Sequence, residues 1–477
     1  MPSDRTRRDV LKWSLCGLTS AIGGKSLAAL PQSPAASPEP SEIKVFVTSG
    51  NRRFAPADPV RWRPRREGAV PIVALNPGLQ FQEILGFGAA FTEASCYNLI
   101  HLSPSSLDQL LRELFAPSEM ALGVCRICMG SSDYSTGPYS YDDGDPDPEL
   151  ARFSIARDRD YILPVLRQAR SINPDLFLFA SPWSPPGWMK SGASLLGGSM
   201  RPKYLAAYAQ YFLKFLQAYA AEGVSIQAVT PQNEVDTDQD GRMPACIWPQ
   251  ESEIRFVRDY LGPLLKQNRQ STAIWILDHN YDLWGRATCE LDDPDLRQFA
   301  AGLAWHGYSG TPEMMSRVHQ LHPGVPMHWT EGGSDYTDPA YLTDWVKWGQ
   351  TFTAVLHNWC RSITAWNLAL DQQGRPNIGP FNCGGVITIH SQSKEIVRSG
   401  LYWTLAHFSR CIRRGARRFD SQCPLPEVSH AAFINPDGQN VLILTNSGPA
   451  RPVIVQTPLA AADVLLPQDS MTTLVWY

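Results

Sequence analysis

The sequence feature that most constrains the fold is a regular alternation of apolar strand-like runs with helix-like segments across residues 81–408. Runs such as LFLFASPW and IQAVTPQNE are typical of buried strands, and the segment YLAAYAQYFLKFLQAYAAEG between them has helical spacing. Strands that alternate with helices form a parallel sheet covered by helices. Seven or eight successive units of this kind predict a (β/α)8 barrel, which takes ~250 residues or more.

The chain on either side of this region has short β-type runs and turns in place of helices. Residues 43–80 carry the runs IKVFVTS and VPIVAL, and residues 409–477 include two alternating runs joined by NPDG, a hairpin signal. We expect these C-terminal strands and the early N-terminal strands to build one β-sandwich beside the barrel. The predicted fold class is therefore α/β, a (β/α)8 barrel with an associated β-sandwich.

The first thirty residues have the pattern of a targeting segment. Arg7 and Arg8 precede a moderately apolar, glycine-containing stretch that ends in small residues suited to cleavage, as in a twin-arginine export signal. The stretch is too short and too rich in glycine and serine for a membrane span of ~20 apolar residues. Residues 31–42, rich in proline and serine, predict a disordered linker. We expect an exported protein, periplasmic or extracellular, with no stable membrane anchor.

Charge and cysteine content argue against several classes of protein. The formal net charge is -4 without long blocks of one sign, which argues against a nucleic-acid surface. The cysteines are scattered apart from Cys125 and Cys128, which fall on opposite faces of a predicted strand. Neither a paired C-x-x-C nor an H-E-x-x-H spacing occurs, so buried single thiols are the favoured interpretation, with one or two disulfides as the open alternative. A serine hydrolase is set aside because the sequence has no G-x-S-x-G motif.

Polar residues at the C-terminal ends of the predicted strands are the candidates for function, since barrel enzymes carry their active site at that face. Two of these positions are glutamates: Glu234 in VTPQNEVD, at the fourth strand, and Glu331 in HWTEGGSD, at the seventh. The interval between them fits three β/α units of roughly 30 residues each. The two carboxylates are therefore expected to face one pocket. The other polar residues at strand ends are Asp133, Ser184, Asn233, Asp278, His279, His306, Tyr308 and Asn367.

Three kinds of chemistry fit such a pair. Two carboxylates flank the scissile bond in most glycosidases, where one protonates the leaving oxygen and the other attacks the anomeric carbon. Carboxylates also bind Mg²⁺ or Ca²⁺, although Glu331 is followed by glycines rather than by further oxygen ligands. A structural pair with an arginine such as Arg126 is the third interpretation. Tryptophans near strand ends, among them Trp183 and Trp366, favour a sugar pocket, with core packing as the alternative for each.

Seven ordered motifs carry a family resemblance that runs from about Gly86 to the C-terminus. They are GFGAAFTEASCYNL, RICMGSSDYS, ASPWSPPGWMK, VTPQNEVD, HGYSG, HWTEGGSD and WNLALDQQGRPN. In this order they resemble the motif series of glycoside hydrolase family 30, in particular its glucosylceramidase branch. The resemblance implies a barrel with a β-sandwich and a retaining double displacement on a carbohydrate or glycolipid, without metal or cofactor.

The resemblance also implies roles for individual residues. Glu234 matches the acid/base, Glu331 the nucleophile, and Asn233 the amide that binds the 2-hydroxyl next to the bond being broken. Further pocket residues implied by the motifs are Arg126, Asp133, Trp183, His306, Tyr308, Trp366 and Asn377. In a retaining enzyme of this kind, Glu331 must be ionised. We expect Glu234 to keep a proton near neutral pH because burial and its negative neighbour raise its pKa.

Two departures from the glucosylceramidase pattern lie towards the leaving group. Gly307 stands where that branch carries a tryptophan, and the loop after the acid/base reads GRMPACIWP. The glycone, expected to be glucose, is therefore better defined than the aglycone. A retaining β-glucosidase is the main hypothesis; an endo-β-1,6-glucanase, a β-xylosidase and a non-catalytic carbohydrate-binding protein are the alternatives. The acids Asp236, Asp238 and Asp240 favour a solvated loop tip or a weak cation site over the catalytic acid.

Overall fold

The computed structural model describes residues 42–65 and 70–477. The predicted export signal at residues 1–30 and the linker that follows it, up to residue 41, lie outside the described residues, so both stay predictions. Within the described ranges, no helix combines the length and the apolar character needed to cross a membrane.

Eight parallel strands close into a barrel, and this confirms the predicted fold class. In chain order the barrel strands are Gly86–Phe91, Val124–Cys128, Phe177–Ser181, Ala228–Val229, Ala273–Asn280, Ala300–His306, Met327–Glu331 and Cys360–Ala365. The eighth strand closes the ring by pairing in parallel with the first, with Ala365 beside Ala89. Nearly all strand residues are buried, as expected where the barrel interior and a helical layer cover both faces of a parallel sheet.

Helices on the outside of the barrel connect successive strands. The α-helices are Glu93–Ile100, Pro104–Phe115, Ile162–Ile172, Leu205–Ala221, Gln250–Arg255, Gly262–Gln267, Trp284–Asp292, Pro294–Arg297, Glu313–Leu321, Trp345–His357 and Gly400–Ser409. Hydroxyl caps fix several of their starts: Thr92, Ser103 and Ser399 each accept a hydrogen bond from a backbone N–H in the first turn. Such caps satisfy donors that have no partner within the helix.

One predicted helix is interrupted. The segment ESEIRFVRDYLGPLLKQ, residues 251–267, has the spacing of a single helix, but a π-helical turn, Phe256–Leu261, separates the segments Gln250–Arg255 and Gly262–Gln267. Pro263 explains the interruption because proline has no N–H to donate and its ring clashes with the carbonyl four residues earlier. A wider turn accommodates this mismatch.

The other long sheet contains ten strands from both ends of the described chain. These strands are Glu42–Ser49, Arg52–Arg61, Arg63–Pro64, Ile72–Glu83, Arg417–Gln422, Val428–Ile434, Asn440–Asn446, Arg451–Gln456, Ala460–Leu466 and Ser470–Trp476. Early and late strands interleave: the first pairs with the last, with Phe46 opposite Thr473. The strand Ile72–Glu83 lies between two C-terminal strands. The early strands therefore join the β-sandwich, and its own apolar core includes Ile43, Val73, Phe419, Leu442 and Leu474.

Two barrel helices attach the barrel to this sandwich. In the helix Gly400–Ser409, the buried His407 bridges two strands, since its ring nitrogens lie 2.7 Å from Thr473 Oγ1 and 2.8 Å from Thr48 Oγ1. In the helix Trp345–His357, the indole N–H of Trp345 donates to the carbonyl of Asp469 at 2.9 Å. These hydrogen bonds, buried at His407 and partly buried at Trp345, fix the register between the two parts of the chain.

A small third sheet extends the loop after the eighth barrel strand. Its strands are Ala369–Leu370, Ile387–Ile389 and Ile396–Arg398. The loop between the first two carries Phe381 and Cys383 to the C-terminal mouth of the barrel, where both line a cavity. Cys383 is free, as are the other eight cysteines of the described ranges, so none of them forms a disulfide.

Candidate active site

Both candidate glutamates lie at the C-terminal mouth of the barrel, as predicted. Glu331 is the last residue of the seventh strand. Glu234 follows the short fourth strand, and its backbone adopts a left-handed conformation with φ 53°, which is uncommon for a residue other than glycine. Its N–H donates to the carbonyl of Asp278 at 3.0 Å, while the N–H of Asn233 donates to the carbonyl of Pro182 at 2.9 Å. Neighbouring segments on both sides therefore hold Glu234 in this strained position.

Arg126 connects the residues around the two glutamates. Its side chain is fully buried, and its guanidinium donates to Glu331 Oε2, to Asn233 Oδ1 at 2.8 Å and to Asp278 Oδ2 at 2.6 Å. The group also stacks over the ring of Trp183 at 4.6 Å. The planar fork of an arginine suits several fixed acceptors at once, so one buried side chain orients both the candidate nucleophile and the amide beside the candidate acid/base.

Asp278 is the functional residue that the sequence analysis missed. It was recognised only as a polar residue at a strand end, but its carboxylate is buried and lies at the centre of the network. Its oxygens accept hydrogen bonds from Arg126, Ser181, Thr230 and Thr330 at 2.6 to 2.8 Å. Burial raises its pKa, but Arg126, His306 and Thr230 together bring it below the usual range, so Asp278 is a permanent negative charge beneath the site.

His306 lies between the two candidate catalytic carboxyl groups. Its Nδ1 is 3.5 Å from Glu234 Oε1, and its Nε2 is 3.8 Å from Glu331 Oε2 and 3.1 Å from Asp278 Oδ1. Burial alone lowers the pKa of His306, but the charge of Glu331, the hydrogen bond to Asp278, the nearby carboxylate of Glu234 and the charge of Asp278 raise it to about 9. The imidazole is therefore a cation at neutral pH, in contact with both glutamates.

The pKa values of the two glutamates respond to this cation. Burial raises the pKa of Glu331 above its ordinary value, and the charges of Glu234 and Asp278 add to this, against the lowering effects of His306 and Arg126. Burial also acts to raise the pKa of Glu234, but the close approach of His306, together with the charges of His279 and His306, brings it below its ordinary value. The expectation of a raised pKa for Glu234 is therefore wrong for the free protein, because two imidazoles from neighbouring strands face that carboxyl group.

Two hydrogen-bond donors contact Glu331, which must be ionised for catalysis. Tyr308 donates its hydroxyl proton to Glu331 Oε1 at 3.1 Å, and Arg126 donates to the other oxygen of the same carboxyl group. Hydrogen bonds to the charged form stabilise that form. In the free protein the raised pKa of Glu331 and the lowered pKa of Glu234 still favour a shared proton on Glu331. Catalysis therefore requires that proton to move to Glu234, and Arg126 and Tyr308 stabilise the carboxylate that it leaves.

A cavity of about 410 Å³ opens onto the pair. Its lining includes six of the predicted site residues, namely Asp133, Trp183, Glu234, Tyr308, Glu331 and Trp366. The indoles of Trp183 and Trp366 stack on each other with ring centroids 4.9 Å apart. By contrast, Trp305 and Trp329 belong to the main hydrophobic core. Trp183 and Trp366 thus contribute to the cavity wall while they are themselves largely buried.

Asp133 presents a polar group without a protein partner. Its Oδ1 atom is buried and has no hydrogen-bond partner among the described residues. Burial raises the pKa of Asp133 well above its ordinary value, and the charges of Glu331 and Glu234 add to this. Because buried polar atoms normally have partners, this side chain on the cavity wall is suited to a hydroxyl group of a ligand.

Four predicted site residues lie behind or beside the cavity wall. Arg126, Asn233 and His306 support the glutamates from behind, as described above. Asn377 lies in the loop after the eighth strand, where its amide donates to the carbonyl of Phe381 at 2.7 Å and its Oδ1 accepts from Gly379 N–H at 2.7 Å. In the free protein Asn377 therefore orders the loop that carries Phe381, and its contact with a ligand stays a prediction.

The loop after Glu234 supplies further residues near the two glutamates and in the cavity lining. Gln239 donates to Glu234 Oε2 at 2.8 Å, and Asp236 Oδ1 lies 2.5 Å from Nε2 of His279. Thr237, Gln239 and Met243 also line the cavity. Asp236 thus binds a histidine beside the pair, which supports neither a purely solvated tip nor a role as the acid. Among the described residues, Glu234, His279 and His306 are the one group whose arrangement could hold a metal ion.

Comparisons with known proteins decide the family. A model described as the glycosyl hydrolase family 30 TIM-barrel domain matches residues 84–412, and a second, the glycosyl hydrolase family 30 beta sandwich domain, matches residues 415–474. The chain belongs to glycosyl hydrolase family 30. It is therefore a glycoside hydrolase that acts on carbohydrate substrates, as the motifs predicted.

Glucosylceramidase and endo-1,6-glucanase are two activities named among the relatives of this family 30 chain. It is 32% identical over 395 residues to a putative glucosylceramidase of Caenorhabditis elegans, covering 78% of this chain and 76% of the relative. It is 28% identical over 476 residues to an endo-1,6-beta-D-glucanase of Trichoderma harzianum, covering 90% and 92%. A solved endo-β1,6-glucanase structure matches with a TM-score of 0.83 and 29% identity over 91% of this chain and 99% of that one.

The structure also explains a departure from the glucosylceramidase pattern. A Cβ atom at Gly307 would lie 2.6 Å from Cζ2 of Trp329, and one at Gly332 would lie 2.2 Å from Cη2 of the same ring. Contacts below 3.0 Å require something to shift, and this indole is buried in the core. Trp329 therefore requires glycine at position 307 in this chain, where the glucosylceramidase branch places a tryptophan.

Proposed function

We propose that this protein is a retaining β-glycosidase that cleaves β-glucosidic bonds by double displacement. The observation that carries the proposal is the common network in which Arg126 and Tyr308 hold Glu331 while His306 contacts both Glu331 and Glu234. Two carboxyl groups face one cavity, and hydrogen-bond donors orient one of them, Glu331. Such a pair suits cleavage of a glycosidic bond.

In the first step, the ionised Glu331 attacks the anomeric carbon, and Glu234 transfers its proton to the leaving oxygen. The bond to the aglycone breaks as the bond to the Glu331 carboxylate forms. In the second step, the carboxylate of Glu234 removes a proton from a water molecule whose oxygen attacks the anomeric carbon. The bond to Glu331 breaks, the sugar leaves with the new hydroxyl group, and both glutamates return to their starting forms. The low pKa of Glu234 in the free protein suits this second step.

The residues around the pair have matching roles in binding. Asn233 Oδ1 is held by Arg126 at 2.8 Å, which leaves the amide N–H₂ of Asn233 as the donor for a 2-hydroxyl group. Asp133 is placed for an outer hydroxyl group through its unpartnered Oδ1. The stacked Trp183 and Trp366 provide the apolar wall of the pocket. This set fits a single glucose unit in the glycone position.

A second candidate activity is that of an endo-β-1,6-glucanase. It is favoured by the part of the cavity lining beside Glu234, the residue that protonates the leaving oxygen. Thr237, Gln239, His279 and Asn280 line the cavity beside Glu234, so the lining there is largely polar. A polar wall suits the hydroxyl groups of a second sugar better than it suits the alkyl chains of a ceramide. The matches to a named endo-1,6-glucanase sequence and to a solved endo-β1,6-glucanase structure cover 90% and 91% of this chain, which is consistent with this activity.

Rate comparison on three substrates tests the proposed specificity. We expect hydrolysis of 4-nitrophenyl β-glucoside, and the relative kcat/KM for glucosylceramide and for β-1,6-linked glucose oligomers identifies the aglycone. Faster cleavage of the longer oligomers at internal bonds selects the endo-glucanase. Sugar binding without turnover of any of these substrates would contradict the proposed glucosidase.

We also propose that the chain is exported through its N-terminal segment. The support is the Arg7 and Arg8 pair before an apolar stretch. Replacing both arginines with lysine should leave the chain in the cytoplasm of a bacterial host, as measured by fractionation and immunoblotting. Unchanged export of that double variant would contradict the proposal.

A further inference from the structure

We propose that Glu234, His279 and His306 form a binding site for a single Zn²⁺ ion, and that occupation of this site blocks the acid/base. The ligand atoms of these three residues all lie within 4.8 Å of one another. Zinc is commonly bound by two imidazole nitrogens and one carboxylate oxygen, and this set leaves the fourth coordination position open. The inhibitory consequence rests on the proposed function, whereas binding does not.

The orientation of the two imidazoles supports the site. The Nε2 atom of His279 lies 2.5 Å from Asp236 Oδ1, and the Nε2 atom of His306 lies 3.1 Å from Asp278 Oδ1. Histidine ligands of metals usually donate their other ring N–H to a carboxylate or carbonyl, which fixes the tautomer and turns the free lone pair to the metal. Both histidines of this site have a carboxylate at Nε2. His306 is protonated in the free protein, so Zn²⁺ binding must displace the proton from its Nδ1 atom to solvent.

The remaining nitrogen of each ring has no protein partner. The Nδ1 atoms of His279 and His306 are both buried and lack a hydrogen bond among the described residues, and both side chains are more than nine-tenths buried. Their distances to Glu234 Oε1 are 3.9 Å and 3.5 Å. Ligand atoms around a tetrahedral ion with bonds of ~2.0 Å stand roughly 3.3 Å apart. Small side-chain rotations therefore bring all three atoms to one ion.

The fourth position faces the cavity. Glu234 and His279 both line the cavity wall, so water or a substrate hydroxyl group reaches an ion bound between them. An ion at Glu234 Oε1 occupies the lone pair that must carry the catalytic proton. Metal and proton transfer are thus mutually exclusive, and the expected effect on hydrolysis is inhibition rather than activation.

Metal titration of the full chain tests the site without relying on activity. We expect Zn²⁺ to bind with one-to-one stoichiometry by isothermal titration calorimetry, and Co²⁺ to give the visible absorption of a site with nitrogen and oxygen ligands. The variants His279→Asn and Glu234→Gln should each weaken Zn²⁺ binding by at least about tenfold. The variant Asp236→Asn changes only the partner of His279 Nε2 and should weaken it by about 10- to 100-fold.

A matched control is His322→Asn. His322 also has a carboxylate beside its Nε2 atom, 3.3 Å away on Asp292, but it lies outside the cavity lining. This variant should bind Zn²⁺ as the parent chain does. Thermal unfolding of each variant separates lost binding from lost folding.

Two results would overturn the site. Unchanged Zn²⁺ affinity in folded Asp236→Asn and His279→Asn would exclude these ligands, and a sulfur-to-cobalt charge-transfer band would assign the ion to a cysteine. If the parent chain hydrolyses 4-nitrophenyl β-glucoside, Zn²⁺ should inhibit it with the concentration dependence measured by calorimetry. Binding without any hydrolysis would retain the site and contradict the proposed function alone.

Discussion

The Nδ1 atom of His306 lies 3.5 Å from Oε1 of Glu234 while its Nε2 atom lies 3.1 Å from Oδ1 of Asp278. One imidazole thus joins the candidate acid/base to a buried carboxylate at the centre of the network. With a pKa raised to about 9, the ring is charged over the range in which the two glutamates titrate. His306 therefore controls the protonation of the pair.

Removing this charge should shift the pH dependence of hydrolysis. The cation lowers the pKa values of both Glu234 and Glu331, so in His306→Gln both values rise and both limbs of the kcat/KM profile move to higher pH. These limbs belong to the coupled pair rather than to either residue alone. The control His322→Gln should keep the parent profile. Limbs that stay in place or move to lower pH in His306→Gln would show that the imidazole does not set the protonation of the pair.

Loss of Arg126 should destabilise the fold as well as the site. Arg126→Ala leaves the buried carboxylates of Asp278 and Glu331 without their main cation, and breaking a buried ion pair costs about 3–5 kcal/mol. Urea unfolding followed by tryptophan fluorescence measures this loss. Arg112, which pairs with Asp108 on an exposed helix face, is the matched control, and Arg112→Ala should unfold as the parent chain does. Equal stability of the two variants would contradict the role of Arg126 as the buried centre of charge.

Glu331→Ala should abolish turnover by several orders of magnitude and leave the chain folded. External azide should then restore product formation with inverted anomeric configuration, because the small anion attacks in the space left by the carboxylate. Glu313→Ala, at an exposed glutamate that begins a helix, should retain full activity. Substantial activity of Glu331→Ala without azide would reject this residue as the nucleophile.

Gly307→Ala should be destabilising because the added Cβ meets the buried ring of Trp329 at 2.6 Å. Overpacking of this kind costs about 1–3 kcal/mol, and the adjacent Tyr308 should lose its alignment on Glu331, so kcat should fall as well. Gly285 is the control: it lies near the start of a helix with open space around it, so Gly285→Ala should be neutral or stabilising. Chemical unfolding of both variants provides the comparison, and an equal free energy of unfolding for Gly307→Ala and the parent would contradict the packing argument.

The sequence predicted those features of the fold and of the site that depend on local pattern. Strand and helix periodicity predicted the barrel, and the motifs placed Glu234 and Glu331 at one face. The role of Asp278 was missed because its four donors come from four different strands or loops, and only the closed barrel brings them together. The lowered pKa of Glu234 was not predicted for the same reason. His279 and His306 reach its carboxyl group from the fifth and sixth strands, which only the closed barrel brings beside it.

If Glu234 and Glu331 carry out a double displacement, the first sugar released keeps the anomeric configuration of the substrate. Time-resolved ¹H NMR of 4-nitrophenyl β-glucoside hydrolysis distinguishes the two anomers of glucose before they interconvert. Double displacement should give β-glucose first, and the α-anomer should grow in only by mutarotation. Initial release of α-glucose would mean a single displacement by water and would contradict the assignment of Glu331 as the nucleophile.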